Sequence, residues 1–119
     1  MEKINLNDKF KLITDYWSPA CIGELNGQAV KIAKFKGTFP MHHHENEDEL
    51  FFVIKGQCFL ELENKTIELN EGEMYIVPKG IDHRPYAKEE AHVVMFEPND
   101  TLNTGNLDNE YTQKDVKKI

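Results

Sequence analysis

Short runs in which apolar and polar residues alternate, cut by glycine, proline and asparagine, occupy most of this chain. Ala20–Leu25 reads as a strand ending at Asn26-Gly27, the dipeptide most favoured in two-residue hairpin turns because both positions take positive φ. From Gln28 to Lys36 the period is two, with Ala29, Lys31, Ala33 and Phe35 on one face and Val30, Ile32 and Lys34 on the other. Leu50–Ile54 is apolar on both faces, and Gln57–Glu63 sets Cys58, Leu60 and Leu62 against Phe59, Glu61 and Glu63. Thr66–Leu69, Met74–Val77 and His92–Phe96 complete the strands, and no amphipathic helix of convincing size interrupts them. Turn residues at Gly37, Pro40, Gly56, Gly72, Pro78, Gly80 and Pro98 punctuate the runs. Short strands at this spacing predict an all-β antiparallel sandwich or barrel, which suppresses exposed sheet edges by closing or stacking.

The doubly apolar run carries a second expectation. If Glu49 faces inward, Phe51 and Val53 do too, and Phe52 and Ile54 face outward and need a cover. Residues 1–17, with Phe10, Leu12, Ile13, Tyr16 and Trp17, are one candidate, packing on the barrel or on a partner. A second subunit is the other, and a homodimer is expected because symmetric pairs are the commonest oligomers. The barrel itself spans about residues 18–98. Beyond it, 99–119 forms a polar arm whose end is expected to be loose, with Thr101–Asn106 either an ordered portion packing on the barrel or a mere linker.

At 119 residues the whole chain, 1–119, fits one domain with a modest core. Net charge is 14 − 21 = −7 and the basic residues are scattered, so the footprint of a phosphate-backbone binder is missing and nucleic acid is not expected as a partner. No run approaches the roughly 18 apolar residues of a membrane span. Met1–Lys9 lacks the apolar stretch of a signal peptide, which leads to the expectation of a cytoplasmic protein without membrane contact. Cys21 and Cys58 make neither a disulfide framework nor a C-x-x-C pair, and read as small apolar residues in a reducing compartment.

The chemistry concentrates in two stretches. In extended backbone His42 and His44 face the same way and His43 faces away; Glu49 opens the apolar run, and His83 follows the turn Pro78-Lys79-Gly80. Imidazoles with one carboxylate suit borderline transition metals better than calcium or magnesium. The bland alternative is a histidine-rich polar turn with Glu49 an ordinary surface charge. Phe39, Met41 and Phe51 lie near these residues as candidate pocket walls. Arg84 and Tyr86 are candidates for the cavity mouth, where they would orient an anionic or hydroxylated ligand. Core or surface placement is the ordinary reading of each of these five. His92 reads as a barrel-wall histidine, and Glu45, Glu47 and Asp48 as a solvated loop. Nothing resembles a nucleophile with its base, a phosphate-cradling loop or a paired-carboxylate glycosidase site.

At these residues the chain resembles the cupins. Gly37, His42, His44, Glu49 and Gly56 match that family's first motif, and Gly72, Pro78, Gly80 and His83 match its second. Two departures stand out: the spacing from Gly37 to the histidine pair is one residue shorter than is common, and Ala87 stands where an asparagine is frequent. The resemblance implies a double-stranded β-helix, or jelly-roll barrel, that holds a divalent Fe, Mn, Ni or Zn ion through His42, His44, Glu49 and His83. Two coordination positions would stay open in an octahedral site. It further implies dioxygenase, isomerase or lyase chemistry on a small polar molecule, with Glu49 as ligand and, when displaced, base. The alternative is a non-catalytic barrel that binds or senses a small molecule or sugar, or keeps the metal only for stability. A cavity too narrow for more than water would favour the last.

Overall fold

A computed structural model describes residues 1–119 throughout. A five-residue helix, α1 (Leu6–Phe10), precedes β1 (Ala20–Leu25), β2 (Gln28–Thr38), β3 (Glu49–Lys55), β4 (Cys58–Glu61), β5 (Thr66–Leu69), β6 (Met74–Val77), β7 (Arg84–Pro98) and β8 (Lys117–Lys118). Asn5 caps the helix by accepting from the Asp8 N–H at 3.0 Å. The β1–β2 hairpin turns at Asn26 (φ 51°) and Gly27 (φ 77°), the mirror-image geometry whose twist suits paired strands.

β7 is the spine. One of its edges pairs with β2 from Tyr86 to Pro98; the other meets β4 at Arg84–Tyr86 and β3 at His92–Phe96. β5 extends β4, β6 extends β3, and β8 lies parallel to β1. The result is an all-β barrel.

β7 starts at Arg84, earlier than the expected His92, because Lys88, Glu89 and Glu90 disguise it. Phe35 pairs with Ala91 and Gly37 with Ala87, so residues 88–90 bulge out of the ladder into solvent. β4 is shorter than the alternation suggested, ending at Glu61.

β3 buries every second residue, starting with Glu49, and Phe51 and Val53 join Phe35, Leu60, Val77 and Val93 in the barrel interior. Phe52 and Ile54 pack on the outer face against Phe10, Ile13, Ile22, Ile32 and Val94. The N-terminal segment therefore supplies cover from within the chain, through Phe10 and Ile13 with Leu6 beside them. Leu12 and Tyr16 are exposed, and Trp17 turns to the barrel mouth. His92 sits under Phe10, with rings stacked 4.6 Å apart. Cys21 and Cys58 are buried and unpaired.

The arm after β7 is docked. Asn103 donates to the Tyr111 carbonyl at 2.8 Å and accepts from the Gln113 N–H at 2.9 Å, while Thr104 is fully buried. The expected loose end is instead tied into β8, and the Ile119 N–H donates to the Cys21 carbonyl at 3.0 Å. Gly105 crosses the histidine segment so closely that a Cβ there would lie 2.1 Å from the His43 oxygen. Its φ of +56° is one that glycine adopts freely. No helix is long and apolar enough to cross a membrane.

Candidate metal centre

The two histidine-bearing segments are laced together by backbone bonds. His42 N–H donates to the His83 carbonyl at 3.0 Å, His83 N–H returns the bond at 2.8 Å, and Gly80 N–H donates to the His44 carbonyl at 2.7 Å. Extended backbone then places His42 and His44 on one side, and Glu49 faces them from the first position of β3. All four side chains are buried, and their donor atoms lie within 4.8 Å of one another.

Ring orientation is fixed from behind. His42 Nδ1 lies 2.8 Å from the Pro40 carbonyl and His83 Nδ1 lies 3.0 Å from that of Ile81. A carbonyl only accepts, so both Nδ1 atoms carry the proton and both Nε2 lone pairs point inward. Glu49 Oε1 is 3.2 Å from His44 Nε2 and 3.4 Å from His83 Nε2. Both ring nitrogens of His44, Glu49 Oε1 and His83 Nε2 nevertheless lack a hydrogen-bond partner. Each such buried group costs about 1–3 kcal/mol, and a cation at their focus resolves the deficit. Three imidazoles with one carboxylate fit a divalent transition metal.

The electrostatics agree. Burial, with His83 adding, pushes His42 down to about 4, so it is neutral at pH 7 with its lone pair free. Burial by itself raises Glu49, but Glu97, His44 and His83 outweigh it and hold the carboxyl well below its usual range. Glu49 is therefore ionised. His43 faces away: its ring bridges Glu45 and, at 2.8 Å, Asp82, and these two carboxylates raise its pKa.

A cavity of about 30 Å³ reaches His42 and Glu49. Its other walls include Trp17, Phe35, Phe39, Phe51, Met95 and Asn103. Such a volume holds a couple of waters at about 10–15 Å³ each. Phe39 and Phe51 thus stand beside the four donors. Met41 points outward at 38 % exposure, because alternation with His42 sends it the other way.

Arg84 and Tyr86 require a correction. β7 turns His83, Pro85 and Ala87 inward, so Arg84 and Tyr86 take the opposite face. There Arg84 Nε donates to Glu61 Oε2 at 2.7 Å and Tyr86 stacks on Phe59 at 4.9 Å. Neither lines the cavity.

Sequence reasoning missed a pair behind Glu49. Lys31 and Glu97 are both 2 % exposed; Lys31 Nζ donates to Glu97 Oε1 at 2.9 Å and to the Thr101 carbonyl at 3.1 Å. Burial pushes Glu97 well above the usual carboxyl range, with the Glu49 charge adding and Lys31 opposing. Burial and the neighbouring Glu49 charge thus favour the neutral form of Glu97. The available signal was Lys31 in the middle of the face Ala29–Phe35, a cation where a core residue belongs.

A family model described as a cupin domain matches residues 30–98. A cupin-2 domain protein of known structure from Shewanella frigidimarina NCIMB 400 is 43 % identical, with a TM-score of 0.79 over 81 % of this chain and 94 % of that one. Among curated relatives, the uncharacterized protein YdbB of Bacillus subtilis is 38 % identical over 64 residues, 53 % of this chain and 57 % of that protein. The 3-hydroxyanthranilate 3,4-dioxygenase of Xenopus laevis is 26 % identical over 101 residues, 79 % of this chain and 36 % of the enzyme. The chain therefore spans well under two thirds of either curated relative. With both histidine motifs converging inside a barrel of this kind, the chain belongs to the cupin family.

Proposed function

We propose that the protein holds a divalent transition metal through His42, His44, Glu49 and His83 and uses it to act on a small organic molecule, as a dioxygenase, isomerase or lyase would. The observation that carries this reading is the convergence of four buried donors, three of them (His44, Glu49 and His83) with partnerless atoms, beside a cavity with largely apolar walls. Such an ion, when bound, supplies Lewis acidity or, as iron, a site for oxygen chemistry. The chain's own contribution is positional. The Pro40 and Ile81 carbonyls aim two imidazoles, the Lys31–Glu97 pair backs Glu49, and Trp17, Phe35 and Phe39 keep bulk water out. The Xenopus enzyme's name supports oxygen chemistry as one branch.

Metal analysis of protein purified without chelator, followed by oxygen uptake with thiols, phenols and diketones, tests this. Stoichiometric metal and uptake with one substrate class are expected. Iron-loaded protein that consumes no oxygen with any of them would eliminate the oxygenase branch. A second reading, a metal kept only for stability, is favoured by the small cavity. It would be selected by metal-loaded protein that gains thermal stability yet binds no exogenous ligand.

We also propose that two copies pair through the outer face of β3 and β6. Met74 and Ile76 are exposed there at 52 % and 49 %, across the ladder from Phe52 and Leu50. Sedimentation equilibrium at micromolar concentration should report twice 13.8 kDa, and Ile76→Lys should restore the single-chain mass. A native chain that stays at the single-chain mass throughout would refute the pairing.

A further inference from the structure

Trp17 comes from outside the barrel yet fills its mouth. Its ring stacks on Phe35 at 4.4 Å and lies 5.1 Å from Phe39, which meets His42 edge-on at 5.3 Å. The remaining cavity, about 30 Å³, is far from the roughly 150 Å³ that admits a benzene ring. Through this cavity, a ligand of ring size reaches His42 and Glu49 by taking the indole's place.

The backbone at Trp17 is one that bulky residues avoid, with φ at 59°. The ring N–H donates to the Lys36 carbonyl at 2.8 Å in an exposed position, so water replaces that bond if the ring swings out. The slot left behind has aromatic faces at Phe35 and Phe39 and apolar sides at Pro19, Ala33 and Met95. Its polar groups, His42, Glu49, Glu97 and Asn103, are too few for a sugar, whose hydroxyls would be stranded against hydrocarbon.

We infer that Trp17 occupies, in the free protein, the slot of a flat aromatic ligand, so that the site takes a planar ring bearing an oxygen donor directed at the metal. This rests on the proposed reading that ligands enter at the metal's open positions.

The test uses the full chain loaded with Zn(II) and titrated with 4-nitrocatechol. The probe's visible band reports coordination, and emission from Trp17, the only tryptophan, reports the ring's surroundings. Both signals are expected to move together, with the emission shifting to the red. Trp17→Ala should bind the probe about tenfold tighter, equivalent to 1.4 kcal/mol, and Trp17→Phe, which keeps a stacking ring should the alanine variant not fold, should fall between. Emission unmoved at saturating probe overturns the inference, as does affinity in Trp17→Phe no greater than in the native chain. Azide added to Co(II)-loaded protein separates the two levels. If azide perturbs the cobalt spectrum and 4-nitrocatechol does not, the open positions stand and the aromatic slot falls. If neither does, the proposed function fails and takes the slot with it.

Discussion

His44→Ala is expected to lose most of its bound metal and to melt well below the native protein, while His43→Ala keeps its metal. An ion bound only to the folded state contributes about 2.7 kcal/mol when present at about a hundredfold over its Kd. For a domain of this size that amounts to roughly 8–15 °C in Tm. The expectation for His43 follows from its ring bridging Glu45 and Asp82 on the far side of the segment, with no part in the cluster of donors. In chelator the gap between native and His44→Ala should close. The native apo-protein carries two partnerless nitrogens on His44 that the alanine variant lacks, which offsets lost packing. Metal analysis and calorimetry with and without chelator check this; equal metal loss in the two variants would mean that the facing argument is wrong.

Lys31→Met is the second large effect. Breaking one side of a buried ion pair costs about 3–5 kcal/mol. Here the lower end is expected, because burial and the Glu49 charge already bias Glu97 toward its neutral form, which weakens the pair. The Thr101 carbonyl loses its donor in the same variant, so the arm loosens at its root. Denaturant midpoints for Lys31→Met, Glu97→Gln and the double variant form a thermodynamic cycle. The double variant should recover part of the loss, and strict additivity would show that the two side chains do not interact.

Much of the barrel was legible because its strands obey a period of two. Ala20–Leu25, Thr66–Leu69 and Met74–Val77 were delimited by their turns, and Glu49 carried Phe51 and Val53 inward with it. The four donors were legible for the same reason, since backbone alternation decides which imidazoles share a side. What stayed hidden depends on contacts distant in sequence. The inward cation Lys31 is visible in the pattern, but its partner Glu97 lies 66 residues away and is supplied by β7. The outward placement of Arg84 and Tyr86 is hidden because the charged run 88–90 masks the start of β7, and without that strand no alternation sends them outward. Trp17 looked like cover for Phe52 because apolar content does not say which of two surfaces a segment will reach.

The position of β7 in the chain has a consequence for biosynthesis. Its three neighbours, β2, β3 and β4, all precede it and none of them pairs with another, although β1–β2, β4–β5 and β3–β6 can form hairpins or ladders earlier. On a ribosome, those separate pieces have nothing to join them until residues 84–98 emerge. The segment from His42 to Glu49 is translated well before that, so its imidazoles meet the metals of the surrounding solution while the nascent polypeptide is still open.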